Sequence, residues 1–232
     1  MDPLEALQCQ IVNCRFCPRL VKYREDVARN KRRAYRDWEY WGRPVPSFGD
    51  NRAQILIVGL APAAHGANRT GRMFTGDRSG DFLYNALFKE GFASQPHSVS
   101  SDDGLTLTGI YIAAAVRCAP PDNKPSPEEI LTCRRYLESE LDLLPNIRVV
   151  VALGKLAFDD YLRILKAKGL IERSSAFVFG HDTEHRTGPG QPVLLASYHP
   201  SQQNTQTGKL TEEMFRAVFQ RAKRLTAASE RA

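Results

Sequence analysis

Four of the five cysteines form two pairs that lie far apart in the chain, Cys14 with Cys17 and Cys118 with Cys133. Two thiolates from a short turn and two from a distant segment can together ligate zinc or a [4Fe-4S] cluster. The alternative is two disulfides, which require an oxidising compartment, but the start of the chain is too polar for an export signal. The pairs therefore predict a metal site in a soluble intracellular protein.

The spacing of these cysteines bears on the choice of metal. Zinc ribbons usually build each half of the site from a close knuckle, whereas fourteen residues separate Cys118 from Cys133. This spacing favours an iron-sulfur cluster and leaves zinc open. Cys9, the remaining cysteine, is expected to be a buried structural thiol and not a ligand.

The segment 59–80 contains five glycines, which allow the backbone to approach a ligand closely. It lacks the GxxxxGK[ST] string of a phosphate-binding loop. It carries the ring of Phe74, the carboxylate of Asp77 and the cations of Arg69 and Arg72. Asp77 is either a catalytic carboxylate or a turn and capping residue in the string TGDRSG, and the sequence leaves both interpretations open.

A single histidine, His199, follows the last apolar run in the string SYHPSQQNTQTG. A lone histidine is more often a surface residue or a hydrogen-bonded core residue than a catalyst. Its position at the end of a predicted strand favours a functional role, because the 59–80 segment also begins at the end of a strand. We therefore expect the two segments to converge on one ligand.

Four near-continuous apolar runs predict buried parallel strands, and four helical patterns alternate with them. Ser126 and Glu129 predict a capping box at the start of the second helix. We therefore predict an α/β fold, a three-layer α/β/α sandwich with a central four-stranded, mainly parallel sheet. In such folds the site lies beyond the carboxyl ends of the strands. The predicted strands are 55–59, 110–116, 148–153 and 193–197, and the predicted helices are 81–90, 127–144, 155–168 and 211–225.

The chain has 232 residues, 42% of them hydrophobic, which suits one packed domain. We predict a single domain over 1–232, with a helical, cluster-binding and basic segment over 1–45 and a flexible tail over 226–232. Part of the net charge of +6 is concentrated in 29–41, where Arg and Lys alternate with aromatic residues. This segment is either a solvated helix face held to the core by its aromatic rings, or a surface that contacts nucleic-acid phosphates.

Four motifs together resemble the family 5 uracil-DNA glycosylases, an iron-sulfur branch of the uracil-DNA glycosylase superfamily. They are CRFCPRL, GLAPAAHGANRTGRMFTGD, RCAPPDNKPSPEEILTC and YHPSQQNTQTG, in this order along the chain. The resemblance covers most of the chain, from about residue 14 to residue 225. It implies an enzyme that cleaves the N-glycosidic bond of uracil or another deaminated base in DNA, leaving an abasic site for base excision repair.

The resemblance also implies residue roles. Cys14, Cys17, Cys118 and Cys133 would hold a [4Fe-4S] cluster that serves structure and not redox chemistry. His199 would donate an N–H to the uracil O2, Phe74 would stack on the flipped base, and the loop from His199 towards Asn204 would enter the minor groove. The positions expected to bind substrate are Gly59, Ala61, Ala64, Gly66, Phe74, Ala114, Ser201 and Asn204.

This chain departs from the wider superfamily at two places. Early in the first motif, other members carry Asp, Glu or Asn to orient the attacking water, but here the residues are Leu60, Ala61, Ala63 and Ala64. Water activation is therefore expected from Asp77, with Asn123 as a second polar partner. Ala114 stands where uracil-specific enzymes place an Asn that reads the base edge. We therefore expect broader specificity, with hypoxanthine and xanthine as further substrates.

Two other functions stay open on the sequence. A non-catalytic iron-sulfur protein that binds nucleic acid would explain the cysteines and the basic segment equally well. A small-molecule hydrolase would use Asp77 and His199 as acid and base, but it leaves the basic segment unexplained. The predicted partner is double-stranded DNA with a deaminated base, with single-stranded DNA left open. We predict a monomer with no membrane contact, in the prokaryotic cytoplasm at the nucleoid.

Overall fold

The structure is a computed structural model that describes residues 2–229. Its centre is one six-stranded sheet with the strand order β1-β3-β2-β4-β6-β5. The four central strands run parallel to one another, and the two edge strands β1 and β5 are antiparallel to their neighbours. The strands are β1 (Phe48–Gly49), β2 (Ile55–Gly59), β3 (Ile110–Ala114), β4 (Val149–Leu153), β5 (Thr183–Arg186) and β6 (Val193–Ser197).

Helices cover both faces of the sheet, so the predicted three-layer α/β/α sandwich is confirmed. The predicted capping box is present, because the Ser126 hydroxyl accepts from the Glu129 N–H while the Glu129 carboxylate accepts from the Ser126 N–H. The α-helices in the described residues are α1 (Pro3–Val12), α2 (Pro18–Asn30), α3 (Ala67–Thr70), α4 (Arg78–Lys89), α5 (Pro127–Leu143), α6 (Lys155–Ala167), α7 (Gln202–Gln206) and α8 (Glu212–Ser229).

Side chains of the central strands alternate between two apolar cores because successive strand residues point to opposite faces. Ile55 and Ile57 of β2 pack into the core under α4 and α8, and Leu56 and Val58 pack into the core under α1, α5 and α6. All five residues of β2, β3 and β4 are buried. This burial on both faces explains why the strands read as continuous apolar runs.

The structure adds two edge strands to the predicted four. The strand β1 has only two residues. The strand β5 has the polar sequence TEHR, and none of its four residues is buried. The last helix continues through Ser229, so residues 226–229 of the predicted tail are helical and Thr226 is buried. The rest of that tail, residues 230–232, lies outside the described residues. Within 2–229, none of the helices has both the length and the apolar character needed to cross a membrane.

Candidate active site and four-cysteine cluster

A cavity of about 410 Å³ lies at the carboxyl ends of β2 and β3 and beside the loop that follows β6. Its volume falls within the range of about 300–1,000 Å³ that is usual for small-molecule sites. The structure brings together in its lining most of the residues that the sequence singled out. This apolar cavity is lined by Gly59, Leu60, Ala61, Pro62, Ala63, Met73, Phe74, Asp77, Arg78, Ser79, Ala114, Asn123, His199, Ser201 and Gln202.

The ring of Phe74 forms one wall of the apolar cavity and is held there by two glycines. Phe74 adopts a left-handed backbone conformation, φ +53°, which is unusual for a residue with a bulky side chain. A Cβ on Gly80 would lie 1.7 Å from the Phe74 carbonyl oxygen, and a Cβ on Gly59 would lie 2.8 Å from the ring atom Cζ. Backbone strain of this kind is a recurrent feature of functional sites. Both glycines are therefore needed to place the ring.

The carboxylate of Asp77 lies at the start of α4, where its Oδ1 accepts a hydrogen bond of 3.0 Å from the Gly80 N–H. Asp77 is thus the N-cap of α4, as one interpretation of the sequence had it, and it also faces the apolar cavity. Its Oδ2 lies against Gly66, where a Cβ would approach to 2.1 Å. Burial raises the pKa of Asp77, and hydrogen bonds from the Gly80 and Ser79 backbone oppose this effect.

His199 lies across the cavity from the loop that carries Asp77. Its ring centroid is 6.0 Å from that of Phe74, with an angle of 31° between the ring planes. Burial lowers the pKa of His199 to about 4. The imidazole is therefore neutral near pH 7 and has one N–H to donate and one nitrogen to accept. This N–H can stabilise a developing negative charge through a hydrogen bond.

Asn123 reaches the cavity from the loop after β3. Asp122 and Asn123 both have positive φ angles, +53° and +55°, on an exposed turn. Two successive non-glycine residues in this region are uncommon, although Asn and Asp tolerate it best. Asn123 lines both the apolar cavity and the neighbouring groove. The turn thereby places one amide side chain where the two spaces meet.

A polar groove of about 750 Å³ adjoins the apolar cavity and shares part of its wall with it. Ala64 and Gly66 line this groove and not the cavity. Sequence reasoning named the basic segment 29–41 in general terms but did not identify which of its residues reach the site. The groove is lined by Tyr23, Arg32, Tyr35, Ala63, Ala64, His65, Gly66, Gly76, Asp77, Arg78, Asp122, Asn123 and Gln202.

Asn204 is the one candidate that lines neither space. Its Nδ2 donates a hydrogen bond of 2.8 Å to the His199 carbonyl oxygen, and its backbone N–H donates to the Ser201 hydroxyl at 3.4 Å. Both contacts close the loop from His199 to α7 upon itself. Asn204 therefore stabilises the conformation of this loop without lining the cavity or the groove.

The four paired cysteines come together on the other side of the β3 carboxyl end. They line one small cavity, with Cys118 and Cys133 buried and Cys14 and Cys17 half-buried. Among residues 2–229, no group of three or more Cys, His, Asp or Glu side chains is placed to hold a single metal ion. Cys9 is exposed on α1 and lies outside this cavity, so the expectation that it is buried was wrong.

A buried cation, Arg24, lies against one of these sulfurs. Burial raises the pKa of Cys118 to about 11, and the guanidinium of Arg24 opposes this effect. Arg24 is 2% exposed, and its Nη1 lies 2.9 Å from the Cys118 sulfur. Its nearest carboxylate, Glu25, is 3.7 Å away and is already paired with Arg15. A buried cation with so little carboxylate contact is costly unless other negative charge is near, and ligating thiolates would supply that charge.

Comparison with known proteins agrees with this geometry. A sequence model of the Uracil DNA glycosylase superfamily matches residues 46–223, which include every element that forms the apolar cavity. The chain is 55% identical to a type-5 uracil-DNA glycosylase of Thermus thermophilus, over 95% of this chain and 97% of the relative. It is 53% identical to one of Mycobacterium tuberculosis (94% and 80%) and 49% identical to one of Pyrobaculum aerophilum (92% and 89%).

The fold and the site therefore define a member of the Uracil DNA glycosylase superfamily. Within that superfamily, the chain belongs to the type-5 uracil-DNA glycosylase family. The resemblance deduced from four sequence motifs is thus confirmed.

Proposed function

We propose that this protein removes uracil from DNA by hydrolysing the N-glycosidic bond, which leaves an abasic site for base excision repair. The observation that carries the proposal is the apolar cavity, where an aromatic ring, a carboxylate, an amide and a neutral imidazole converge in a type-5 family member. A base inside a duplex cannot reach such a cavity, so the nucleotide must first be extruded from the helix.

Phe74 provides the surface on which the extruded base stacks. The glycines at 59 and 80 fix the ring at the end of β2, so that little side-chain freedom is lost when the base arrives. The apolar lining replaces the neighbouring bases of the helix. Stacking of this kind tolerates any base, because each base has a flat face.

His199 stabilises the leaving group. Cleavage of the glycosidic bond leaves negative charge on the base, with much of it on the uracil O2. A preorganised donor aimed at that charge lowers the barrier more than it lowers the energy of the bound substrate. Because its pKa is about 4, His199 remains neutral and acts as an N–H donor across the physiological pH range.

Asp77 acts at the sugar. The bond breaks to give a cationic, oxocarbenium-like sugar, which a carboxylate stabilises, and the same carboxylate can orient the attacking water. Asn123, on the shared wall of the cavity and groove, is the second polar partner for that water. The alanines at 61, 63 and 64 offer no polar side chain for this role.

Double-stranded DNA approaches along the polar groove. Arg32 and Arg78 are exposed on its walls and can contact the phosphates beside the extruded nucleotide. His199 and Ser201 line the cavity as well, and their loop would fill the gap that the base leaves in the helix. The substrate strand therefore lies between the basic segment and this loop.

The test is conversion of a uracil-containing duplex into an alkali-labile product by the purified protein. The same duplex with thymine in place of uracil serves as the control. Cleavage only at uracil is the expected result. Retention of both duplexes without any abasic site would identify a non-catalytic binding protein and contradict the proposal.

We also propose that hypoxanthine and xanthine are substrates, because Ala114 presents only a methyl group at the end of β3. Ala114→Asn is expected to raise the ratio of uracil to hypoxanthine excision by about tenfold or more, since polar readout gives large discrimination factors. Single-turnover rates on otherwise identical duplexes measure this ratio. Ala114→Val, which fills similar space without a hydrogen-bonding group, is the matched control. An equal ratio in both variants would contradict a role for base-edge readout.

His199→Ala is expected to slow uracil excision by about 10²–10³-fold, the usual cost of one lost donor to a developing oxyanion. The residual activity reflects backbone N–H donors of the 59–80 segment. Because its pKa is about 4, His199 is already neutral at pH 6. The substitution should therefore lower the rate by the same factor at every pH from 6 to 8. Single-turnover assays check this, with His97→Ala at an exposed position outside the cavity as the control. A factor that changes with pH in this range would mean that His199 titrates there.

We propose that Cys14, Cys17, Cys118 and Cys133 hold a [4Fe-4S] cluster. In such a cluster each thiolate ligates a different iron, so the four sulfurs need not meet at one ion. The buried guanidinium of Arg24 at Cys118 and the Arg117 backbone N–H, 3.3 Å from the Cys133 sulfur, are the donors expected around charged ligands. When bound, the cluster would cross-link the N-terminal helices to the segment between β3 and α5, and hydrolysis needs no redox step from it.

A further inference from the structure

Arg69, on the short helix α3, is a buried cation that has no role in the mechanism proposed above. It is 4% exposed, and no carboxylate in residues 2–229 forms an ion pair with it. Its guanidinium lies between the rings of Tyr35 and Trp38, 4.1 Å from each ring centroid. Burying a guanidinium without a paired carboxylate is costly, so the surrounding structure must favour this position for another reason.

The guanidinium connects two stretches of the 59–80 segment, one around His65 and one around Gly76, which we call its two arms. Its Nε donates to the His65 carbonyl oxygen at 2.8 Å, and its Nη2 donates to the Gly76 carbonyl oxygen at 2.9 Å. The residues that follow these two acceptors are Gly66 and Asp77, which pack against each other through Asp77 Oδ2. Arg69 therefore fixes the separation of the two chain segments whose contact sets the carboxylate position.

Room for the guanidinium is built into the chain at Gly76. This residue has a φ of +80°, and a Cβ there would lie 2.4 Å from the Arg69 Nη2. The Nη1 atom of Arg69 is buried without a hydrogen-bond partner, so its two N–H groups and part of the positive charge remain uncompensated. Such a charge stabilises a nearby anion more strongly than an exposed arginine does, because solvent screens it less.

Asp77 is the anion that this charge can stabilise. Burial raises the pKa of Asp77, the Gly80 and Ser79 N–H groups lower it, the carboxylate of Asp81 raises it, and the positive charge of Arg69 lowers it. The other titratable or charged groups that face Asp77 from the adjoining elements are Arg32, His65, Arg78, Asp122 and His199. Of these, the arginines are exposed and His199 is neutral. Arg69 is therefore a buried cation near Asp77, unlike Arg32 and Arg78.

We propose that Arg69 is a positioning residue for base excision, which holds the two arms of the 59–80 segment together, keeps Asp77 in place and sets a buried positive charge near its carboxylate. This inference rests on the proposed role of Asp77 at the sugar. It assigns a function to the aromatic residues of the basic segment as well, because Tyr35 and Trp38 cover Arg69 while Arg32 beside them faces the groove. The basic segment and the catalytic carboxylate are thereby connected through one side chain.

Two substitutions distinguish the effect of the positive charge of Arg69 from the effect of its two hydrogen bonds. Arg69→Lys keeps a positive charge but cannot donate to both carbonyl groups in one plane, and Arg69→Met removes both properties. The carboxyl pKa of Asp77 can be measured directly by ¹³C NMR titration of the full chain, with the Asp77 signal assigned by its absence in Asp77→Asn. We expect the pKa to rise in Arg69→Met and to stay near the wild-type value in Arg69→Lys.

The pH profile of single-turnover excision provides the second measurement. In Arg69→Met the acid limb should move to higher pH together with the carboxyl pKa. In Arg69→Lys the limb should stay in place, while the rate at pH 8 falls by about ten- to a hundredfold because the carboxylate is misplaced. The Kd for a duplex with an abasic site should stay within about twofold in both variants, since neither change removes a groove side chain.

Arg72→Met is the matched control, because Arg72 is equally buried in the same segment but is paired with Asp103 at 2.7 Å. It should lower the melting temperature without moving the Asp77 pKa.

An unchanged Asp77 pKa in folded Arg69→Met, together with an unchanged rate in Arg69→Lys, would overturn the inference. A raised carboxyl pKa with an unmoved acid limb would support the role of Arg69 and instead contradict the proposed role of Asp77 in the reaction. If Arg69→Met does not fold, Arg69→Gln provides the same loss of charge.

Discussion

Asp77→Asn is expected to lower the single-turnover rate of uracil excision by about 10²–10⁴-fold, the usual contribution of one positioned carboxylate. The affinity for duplex DNA should stay near the wild-type value, because the side chain is nearly the same size and the groove keeps its shape. Asn caps helices about as well as Asp, so the bond from the Gly80 N–H can persist. The substitution therefore removes the charge and little else.

Thermal stability distinguishes the catalytic role from the capping role. Burial raises the pKa of Asp77 in the folded state above its unfolded value. The folded state then binds the proton more tightly, so the ionised carboxylate costs stability near pH 7.5, and this cost disappears as the pH falls below the unfolded pKa. Asp77→Asn is therefore expected to raise the melting temperature at pH 7.5, with a smaller gain at pH 4. A residue that served only as a cap would show this gain in stability without a loss of activity.

The control for this experiment is Asp142→Asn, at an exposed position of α5 outside the cavity and the groove. It should leave both the excision rate and the DNA affinity unchanged. Scanning calorimetry and single-turnover assays on the same preparations supply the two measurements. An excision rate within threefold of wild type in Asp77→Asn would contradict its role at the sugar.

The central sheet could be predicted because its strands are buried on both faces. The strand β4 contains only apolar residues, and β2 contains four apolar residues and a terminal glycine, a composition typical of strands buried on both faces. The edge strand β5 was missed because its residues are polar and partly exposed, and its pairing with β6 depends on neighbours distant in sequence. A two-residue strand such as β1 carries no periodic signal at all.

The site could be predicted in outline because parallel strands end on one edge of the sheet. That rule brought the loop after β2, the turn after β3 and the loop after β6 together, and the structure confirms their convergence. The buried arginines could not be predicted. Arg24 and Arg69 occur in polar, basic surroundings in the sequence, and their burial depends on sulfur, carbonyl and aromatic partners that only the folded chain supplies. Charged residues are almost never fully buried without such partners.

Cys118→Ser is expected to abolish iron binding and to destabilise the protein strongly. Cys118 is buried in the segment between β3 and α5, and its sulfur contacts the guanidinium of Arg24 at 2.9 Å. Loss of a structural metal site typically costs more than about 4–5 kcal/mol. In a domain of this size, 1 kcal/mol corresponds to about 2–4 °C, so the melting temperature should fall by about 10 °C or more. Iron content, absorbance in the visible range and calorimetry provide the measurements.

Cys9→Ser is the matched control, since Cys9 is the fifth cysteine and is exposed on α1. It should retain the iron content, the absorbance and the melting temperature of the wild-type protein. Hydrogen exchange should locate the effect of Cys118→Ser in α2 and the 119–126 turn, because these segments directly follow Cys17 and Cys118. Asn123 lies in that turn, so excision should slow even at temperatures where the sheet stays folded. Full iron content in Cys118→Ser would exclude Cys118 as a ligand, and loss of iron without a change in exchange near Asn123 would show that the cluster does not support the active site.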